Sequence, residues 1–376
     1  MSLFRIESRD PLIFRDGRPN DGRSESRTLP FPVPSALVGA IRTILGRSGG
    51  AFDASKIPAL LEKVSLRGPL LAHKKELFVP APGDALLLKG EDDVLHLQAL
   101  HPIGLPPGAR CSPTTLQLVG LDDEESVLAK PYSEAPKLWN WTSFADWLRD
   151  ARPRQGEEVE RICKLGKKGL PREERIHVAI GPEGTAEDGK LFAAEGLRLL
   201  DEDSWEDLSF LIDLDVQDPA LGSLTPGLRP LGGERRLARW SSEDPPPFPE
   251  VPDWLLDHVR REESPVVRVI FLTPAYVASS VAPGCLNTSL SWVIAAKVDR
   301  PRTLSGWDMS KNLPHGQPKK TRRLAAEGSV YWVRLSGDAA TRVQWVKDRW
   351  MQNLGDDAQL CRDGFGLAAI GLGRSA

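Results

Sequence analysis

Cysteine is scarce in this chain: Cys111, Cys163, Cys285 and Cys361 are its four, lying far apart with no C-x-x-C pair. No zinc site is visible in that spacing, and no metal is expected. No apolar run approaches about 18 residues, so a membrane-spanning helix is excluded, and no signal peptide is recognisable. A cytoplasmic protein with reduced thiols and no membrane partner is the expectation. Also missing is a helix after the most glycine-rich stretch, RDGFGLAAIGLG at 362–373. GFGLAA fits the degenerate G-x-G-x-x-G/A fingerprint, with Ala369 in the last place. A dinucleotide site, however, needs a helix N-terminus for the pyrophosphate and an acidic residue about 20 positions later. Only seven residues follow Ala369. A Walker loop fails too, because Leu372 and Gly373 stand where Lys and Ser/Thr belong. A second near-match, Gly184, Gly189 and Lys190, carries Leu191 in place of the hydroxyl residue, and Glu187 and Asp188 would repel phosphate. Its EDGK segment reads as a hairpin turn. No nucleotide cofactor is expected.

What the chain has is 33 Gly and 32 Pro, above the usual share, with ordinary proportions of hydrophobic and charged residues. That describes a folded, loop-rich protein, and 376 residues suit two domains. The net charge of -3 conceals gathered basic residues. Arg9, Arg15, Arg18, Arg23 and Arg27 crowd the start. Arg161, Lys164, Lys167, Lys168, Arg172 and Arg175 form a second group, Arg229, Arg235, Arg236 and Arg239 a third, and Lys319, Lys320, Arg322 and Arg323 a fourth. Acidic residues are concentrated elsewhere, as in DDEES and DEDSWED, so a positive groove for phosphates is open to the fold.

Periodicity predicts a strand over Leu3–Glu7, then a loop, then a helix over PSALVGAIRTIL with Ser35 as cap and Leu37, Ile41, Ile44 and Leu45 on one face. Prolines break up the region from about 70 to 170, which reads as an insertion containing one helix, PKLWNWTSFADWLRD, capped by Thr142 or Ser143. Its Trp139, Phe144, Trp147 and Leu148 suit core packing. Further strands are expected in RIHVAIGPEGTAEDGKLFAAEGLRLL, SFLIDLDV, GGERRLARW, VVRVIFLTPAYV, LSWVIAAKV and GSVYWVRL, and a helix in AATRVQWVKDRWMQNL. The pattern predicts two α+β domains, 1–216 and 217–376, and argues against a doubly wound parallel sheet.

DPLIFRDGRP, PSALVGAIRT, HVAIGPEGTAEDGKLFAAEGL, LGGERR, FLTPA, GWD with PKKTRR, and the terminal GFGLAAIG together resemble the third subunit of the type III-B CRISPR RNA-guided effector (Cmr) module. That subunit is a member of the repeat-associated mysterious protein (RAMP) superfamily. The resemblance implies tandem ferredoxin-like, RRM-related domains ending in a glycine-rich loop. It also implies a non-catalytic subunit that binds the 5′ tag of crRNA alongside the large polymerase-like subunit and the backbone RAMP subunit.

On that reading the candidate RNA contacts are Arg15 and Arg18 after the first strand, Lys164, Lys167 and Lys168, Arg235 and Arg236 beside Gly232 and Gly233, and Lys319, Lys320, Arg322 and Arg323. Exposed amides at Gly364, Gly366, Gly371 and Gly373 would complete them. The likeness of DGFGLAAI to an RRM motif lacks its stacking aromatics, since Leu367 and Ile370 take their places. The alternative is a RAMP-type endoribonuclease that processes precursor CRISPR RNA with His177 as general base. Against it, His177 alternates with Val178 and Ile180 in a strand pattern, and Asp308 and Asp363 are isolated carboxylates. Trp139, Trp141, Trp205 and Trp307 are possible anchors for a partner.

Overall fold

A computed structural model describes residues 2–15, 25–26, 28–48, 50–90, 93–105, 108, 116–121, 130–200, 207–278, 282–308 and 317–375. The principal elements of the first part of the chain are, in order, β1 (Ser2–Glu7), α1 (Pro34–Leu45), β2 (Val64–His73), α2 (Trp141–Arg149), α3 (Glu157–Leu165), β3 (Arg172–Ile180), β4 (Ala186–Leu197), β5 (Ser209–Val216), β6 (Gly227–Pro230) and β7 (Leu237–Ser241). There follow α4 (Asp253–Arg261), β8 (Val266–Phe271), β9 (Ser291–Lys297), β10 (Val330–Leu335), α5 (Ala339–Lys347), β11 (Gln352–Asn353), α6 (Ala358–Arg362) and β12 (Leu367–Leu372). The architecture is mixed α and β, with mostly antiparallel sheets and few helices.

The chain forms two compact units, one from residues 1–75, 169–245 and 303–322, the other from 76–168, 246–302 and 323–376. This replaces the single cut expected between 216 and 217. The proline-broken region is part of the second unit's own body and not an insertion into the first, because its contacts are made with segments far along the chain.

In the first unit the strands run β2-β5-β1-β7-β6, all antiparallel. Ile6 faces Phe210 on one side and Trp240 on the other, and all three are fully buried. α1 packs Leu37, Val38, Ile41 and Leu45 inward. Its cap position is Val33, followed by Pro34 in the first turn, so Ser35 lies inside the helix. Proline tolerates that place because its missing N–H would have been unpaired anyway. β3 and β4 form a hairpin whose turn falls at Gly181–Thr185, closed by Gly181 N donating to Thr185 O at 2.9 Å. The EDGK segment is consequently strand, not turn.

In the second unit the order is β9-β10-β8-β12-β11, again antiparallel. Every residue of β8 is buried, which explains its continuous apolar reading. The exception in type is Arg268, 1% exposed. Its guanidinium pairs with Asp84 and donates to the carbonyls of Leu372 (2.6 Å) and Trp147 (2.6 Å). α2 begins at Trp141, after a short strand at Leu138–Asn140. Thr142 and Ser143 therefore sit in the helix, and Asn140 occupies the cap position while its Nδ2 donates to Glu76 at 2.7 Å. Trp139, Phe144, Trp147 and Leu148 are all buried, as the sequence predicts. Among the described residues no helix is long and apolar enough to cross a membrane.

Candidate nucleic-acid interface

After β1 the chain runs as a strap over 11–15. Leu12 exchanges backbone hydrogen bonds with Leu197 (2.9 and 2.8 Å), and Phe14 N donates to Thr28 Oγ1 at 3.0 Å. On the strap's other side, Gly233 N donates to Ile13 O at 2.7 Å. A Cβ on Gly232, whose φ is 78°, would meet that same carbonyl at 2.5 Å. Only glycine permits this approach, and it seats the tip of the β6–β7 hairpin on the strap.

The tip closes by Leu231 N donating to Arg236 O (2.8 Å) and Arg236 N donating to Gly233 O (3.3 Å). Glu234 and Arg235 take the two central turn positions with φ of 54° and 55°. That is the left-handed region, which such turns usually fill with Asn or Gly. Glu234 lies between two cations, 3.8 Å from Arg15 Nη2 and 3.4 Å from Arg236 Nη2, while Arg235 is exposed.

Strap, tip and α1 enclose a cleft of roughly 790 Å³. Its floor is apolar. Ala36 and Ala40, one turn apart on the helix face opposite the core, leave the groove, and Phe14 and Ile44 line it. Arg15, Arg47 and Arg229 stand around it. Arg229 is braced by donating to Thr225 Oγ1 at 2.6 Å, whereas Arg47 is exposed just beyond the helix. Among the described residues lining the cleft there is no His, Cys, Asp or Glu. Such a surface offers guanidiniums to phosphates and an apolar wall to a base or sugar, with no acid–base pair.

The sequence candidates divide accordingly. Arg15, Arg235 and Arg236 are brought together; Arg18 lies outside the described residues. Arg47 joins them without any sequence signal, because a lone arginine past a helix end belongs to no motif. Lys164 is exposed in the last turn of α3. Lys167 packs over the Phe78 ring at 5.7 Å, and Lys168 pairs with Glu134 at 2.6 Å, both within the second unit. Lys319 and Lys320 are exposed, Arg322 half-buried and Arg323 exposed; none lines the cleft.

The glycine-rich stretch requires correction. It is not an exposed cradle: Gly364, Gly366 and Gly371 are buried, and β12 is a central strand. A Cβ on Gly366 would fall 1.8 Å from Leu354 O, and one on Gly371 2.7 Å from Leu148 O. Gly373 is half-buried against Val266. Their amides serve the fold, as in Gly366 N donating to Pro274 O at 2.9 Å. Leu367 and Ile370 are fully buried and cannot stack on bases.

His177 stacks on Phe192 with centroids 5.3 Å apart. Asp363 is 8% exposed and accepts from Gln359 Nε2 at 2.8 Å; the side chain of Asp308 lies outside the described residues. No three His, Cys, Asp or Glu among the described residues are grouped to hold a metal. Trp139 is buried and Trp141 half-buried against Trp350, so neither is a free anchor; Trp205 and the Trp307 side chain lie outside the described residues.

The chain is similar to a chain in the cryo-EM structure of the type III-B Cmr-beta bound to cognate target RNA (18% identity, TM-score 0.47, 88% of this chain and 86% of that chain). It is similar to another from the same assembly with AMPPnP, state 1 (15%, 0.46, 88% and 86%). A third similarity is to the Csm3–Csm4 subcomplex of the type III-A CRISPR-Cas interference complex (11%, 0.36, 90% and 94%). A comparison with curated proteins found no match. The model of the CRISPR-associated protein family Cas_Cmr3 matches residues 4–372, from the first strand to the last, and the chain belongs to that family.

Proposed function

We propose that this protein is a non-catalytic, RNA-binding subunit of a type III-B CRISPR effector complex. It holds the 5′ tag of crRNA in the cleft of its first unit and bridges the large polymerase-like subunit to the backbone subunits in antiviral defence. The observation that carries this reading is the convergence of Arg15 with the LGGERR tip on an apolar cleft that has no acid–base pair. Single-stranded RNA, with splayed bases and exposed phosphates, is the ligand such a surface suits. Sheet order gives further support. Taking β1, β2, β5 and β7 as first to fourth, the order is fourth, first, third, second, and β8, β9, β10 and β12 repeat it. This is the order of a ferredoxin-like domain, so we read the units as a tandem pair of them.

The test uses the reconstituted effector with crRNA carrying a native or scrambled 5′ tag. Arg15→Glu with Arg47→Glu is expected to weaken tag-dependent binding tenfold or more, and to make the salt dependence shallower by about 0.7 for each phosphate no longer neutralised. Arg322→Glu with Arg323→Glu tests the fourth basic group in the same way. Unchanged affinity and slope in the cleft variant would remove the cleft from the RNA path. Precursor RNA is expected to stay intact in the same samples; cleavage abolished by His177→Ala would replace this reading with the processing nuclease.

A further inference from the structure

The second unit holds a cavity of its own, about 240 Å³, at the C-terminal end of α2. His101, Arg149, Asp150, His258, Arg268 and Arg374 contribute its polar lining. It shares no residue with the cleft of the first unit.

Several charges there are already balanced. Arg268 is committed to Asp84, and it also donates to the carbonyls of Trp147 (2.6 Å) and Leu148 (3.2 Å). Those are last-turn carbonyls of α2, so the buried guanidinium covers the negative end of the helix that would otherwise repel an anion. Asp150 is paired with Arg152 Nε at 2.6 Å. What remains is positive. Arg149 and Arg374 are exposed at the cavity and have no partner among the described residues. His258 brings no charge, because burial pushes its imidazole below its ordinary value; its buried Nε2 has no hydrogen-bond partner. Two uncommitted guanidiniums converging on one cavity match a tetrahedral anion with several acceptor oxygens.

We propose that this cavity binds a phosphate group carried by a nucleotide, with Arg149 and Arg374 as its principal donors and His258 at its side. The volume is below that of a pocket for a whole drug-sized ligand, so phosphate and sugar enter and the base stays outside. Recognition is therefore indifferent to the base.

The test titrates the full chain with inorganic phosphate, adenosine 5′-monophosphate, uridine 5′-monophosphate and adenosine by calorimetry. The three phosphate-bearing probes are expected to bind and adenosine is not, the two nucleotides doing so with similar affinity. Arg149→Gln and Arg374→Gln should each weaken binding roughly tenfold, the usual effect of losing one charge-assisted hydrogen bond. Two substitutions outside this donor pair should act in opposite directions. Arg152→Gln uncovers the Asp150 carboxylate and weakens binding, whereas Asp150→Asn strengthens it, a contrast that misfolding cannot produce. Short RNAs with a 5′-phosphate or a 5′-hydroxyl distinguish the source of the group. Preference for the phosphorylated strand assigns the site to an RNA end, equal binding assigns it to the backbone, and binding of mononucleotides alone assigns it to a free nucleotide. No binding of phosphate or nucleotide at millimolar concentration, or undiminished binding in the double variant, would overturn the proposal.

Discussion

Gly366 and Gly39 are chemically identical and structurally opposite. Gly366 has a φ of 81° and no room for a Cβ, which would overlap Leu354 O at 1.8 Å. Gly39 is exposed in α1, with nothing within 4 Å of where a Cβ would lie. Alanine at position 366 must move backbone in a packed interior and adopt a conformation that L residues avoid, so a loss of at least about 2 kcal/mol is expected. Alanine at position 39 is expected to add up to about 1 kcal/mol through helix propensity. Urea unfolding midpoints of the two variants check both signs. If Gly366→Ala were neutral, the close packing of the glycine-rich stretch would be wrong. A glycine motif in a sequence announces that some close approach occurs. It does not say whether the approaching group is a phosphate or, as here, the protein's own backbone.

At the scale of elements, what the sequence makes readable is the inward face. Leu37, Ile41 and Leu45 mark α1 by their spacing, and apolar runs mark β5, β8 and β10. The outward face of α1, where Ala36 and Ala40 open the cleft, gives no periodic signal, because small residues do not register in a hydrophobic pattern. Nor can any window of sequence show that Ile13 and Gly233 share a hydrogen bond. The basic residues at 15, 235 and 236 are readable one by one; their convergence is a product of the sheet. The tip also departs from turn preference by placing Glu234 and Arg235 at positive φ. Backbone strain of this kind persists where the surrounding structure enforces it, often at binding sites. Replacing the pair by Asn-Gly should stabilise the first unit by up to about 1 kcal/mol and, on the RNA path proposed for the cleft, weaken crRNA tag binding severalfold. Thermal unfolding and fluorescence anisotropy on the same preparation measure the two effects. A variant both stabler and equally tight would mean that the tip is only a turn.

For the molecule as a whole, the sequence indicates two α+β bodies but not how the chain is shared between them. Each body is assembled from three separated segments, and the interactions that decide membership are long-range. Each also contains an Arg–Asp pair with a buried carboxylate, Arg67 with Asp213 in the first and Arg268 with Asp84 in the second. The second pair is the drier, its side chains 2% and 0% exposed, and Asp84 also accepts from Trp147 Nε1 at 2.9 Å. Asp84→Ala would leave Arg268 charged and unpaired in a low-dielectric interior, a loss of about 3–5 kcal/mol. Asp213→Ala should cost less, because Arg67 is 19% exposed and remains partly solvated. Hydrogen exchange of the two variants reads out the organisation directly. Weakened protection for Asp84→Ala is expected in 76–168, 246–302 and 323–376, with 169–245 spared, and the reverse for Asp213→Ala. A pattern that followed a single division near residue 216 would instead restore the two consecutive domains that the order of strands and helices suggests.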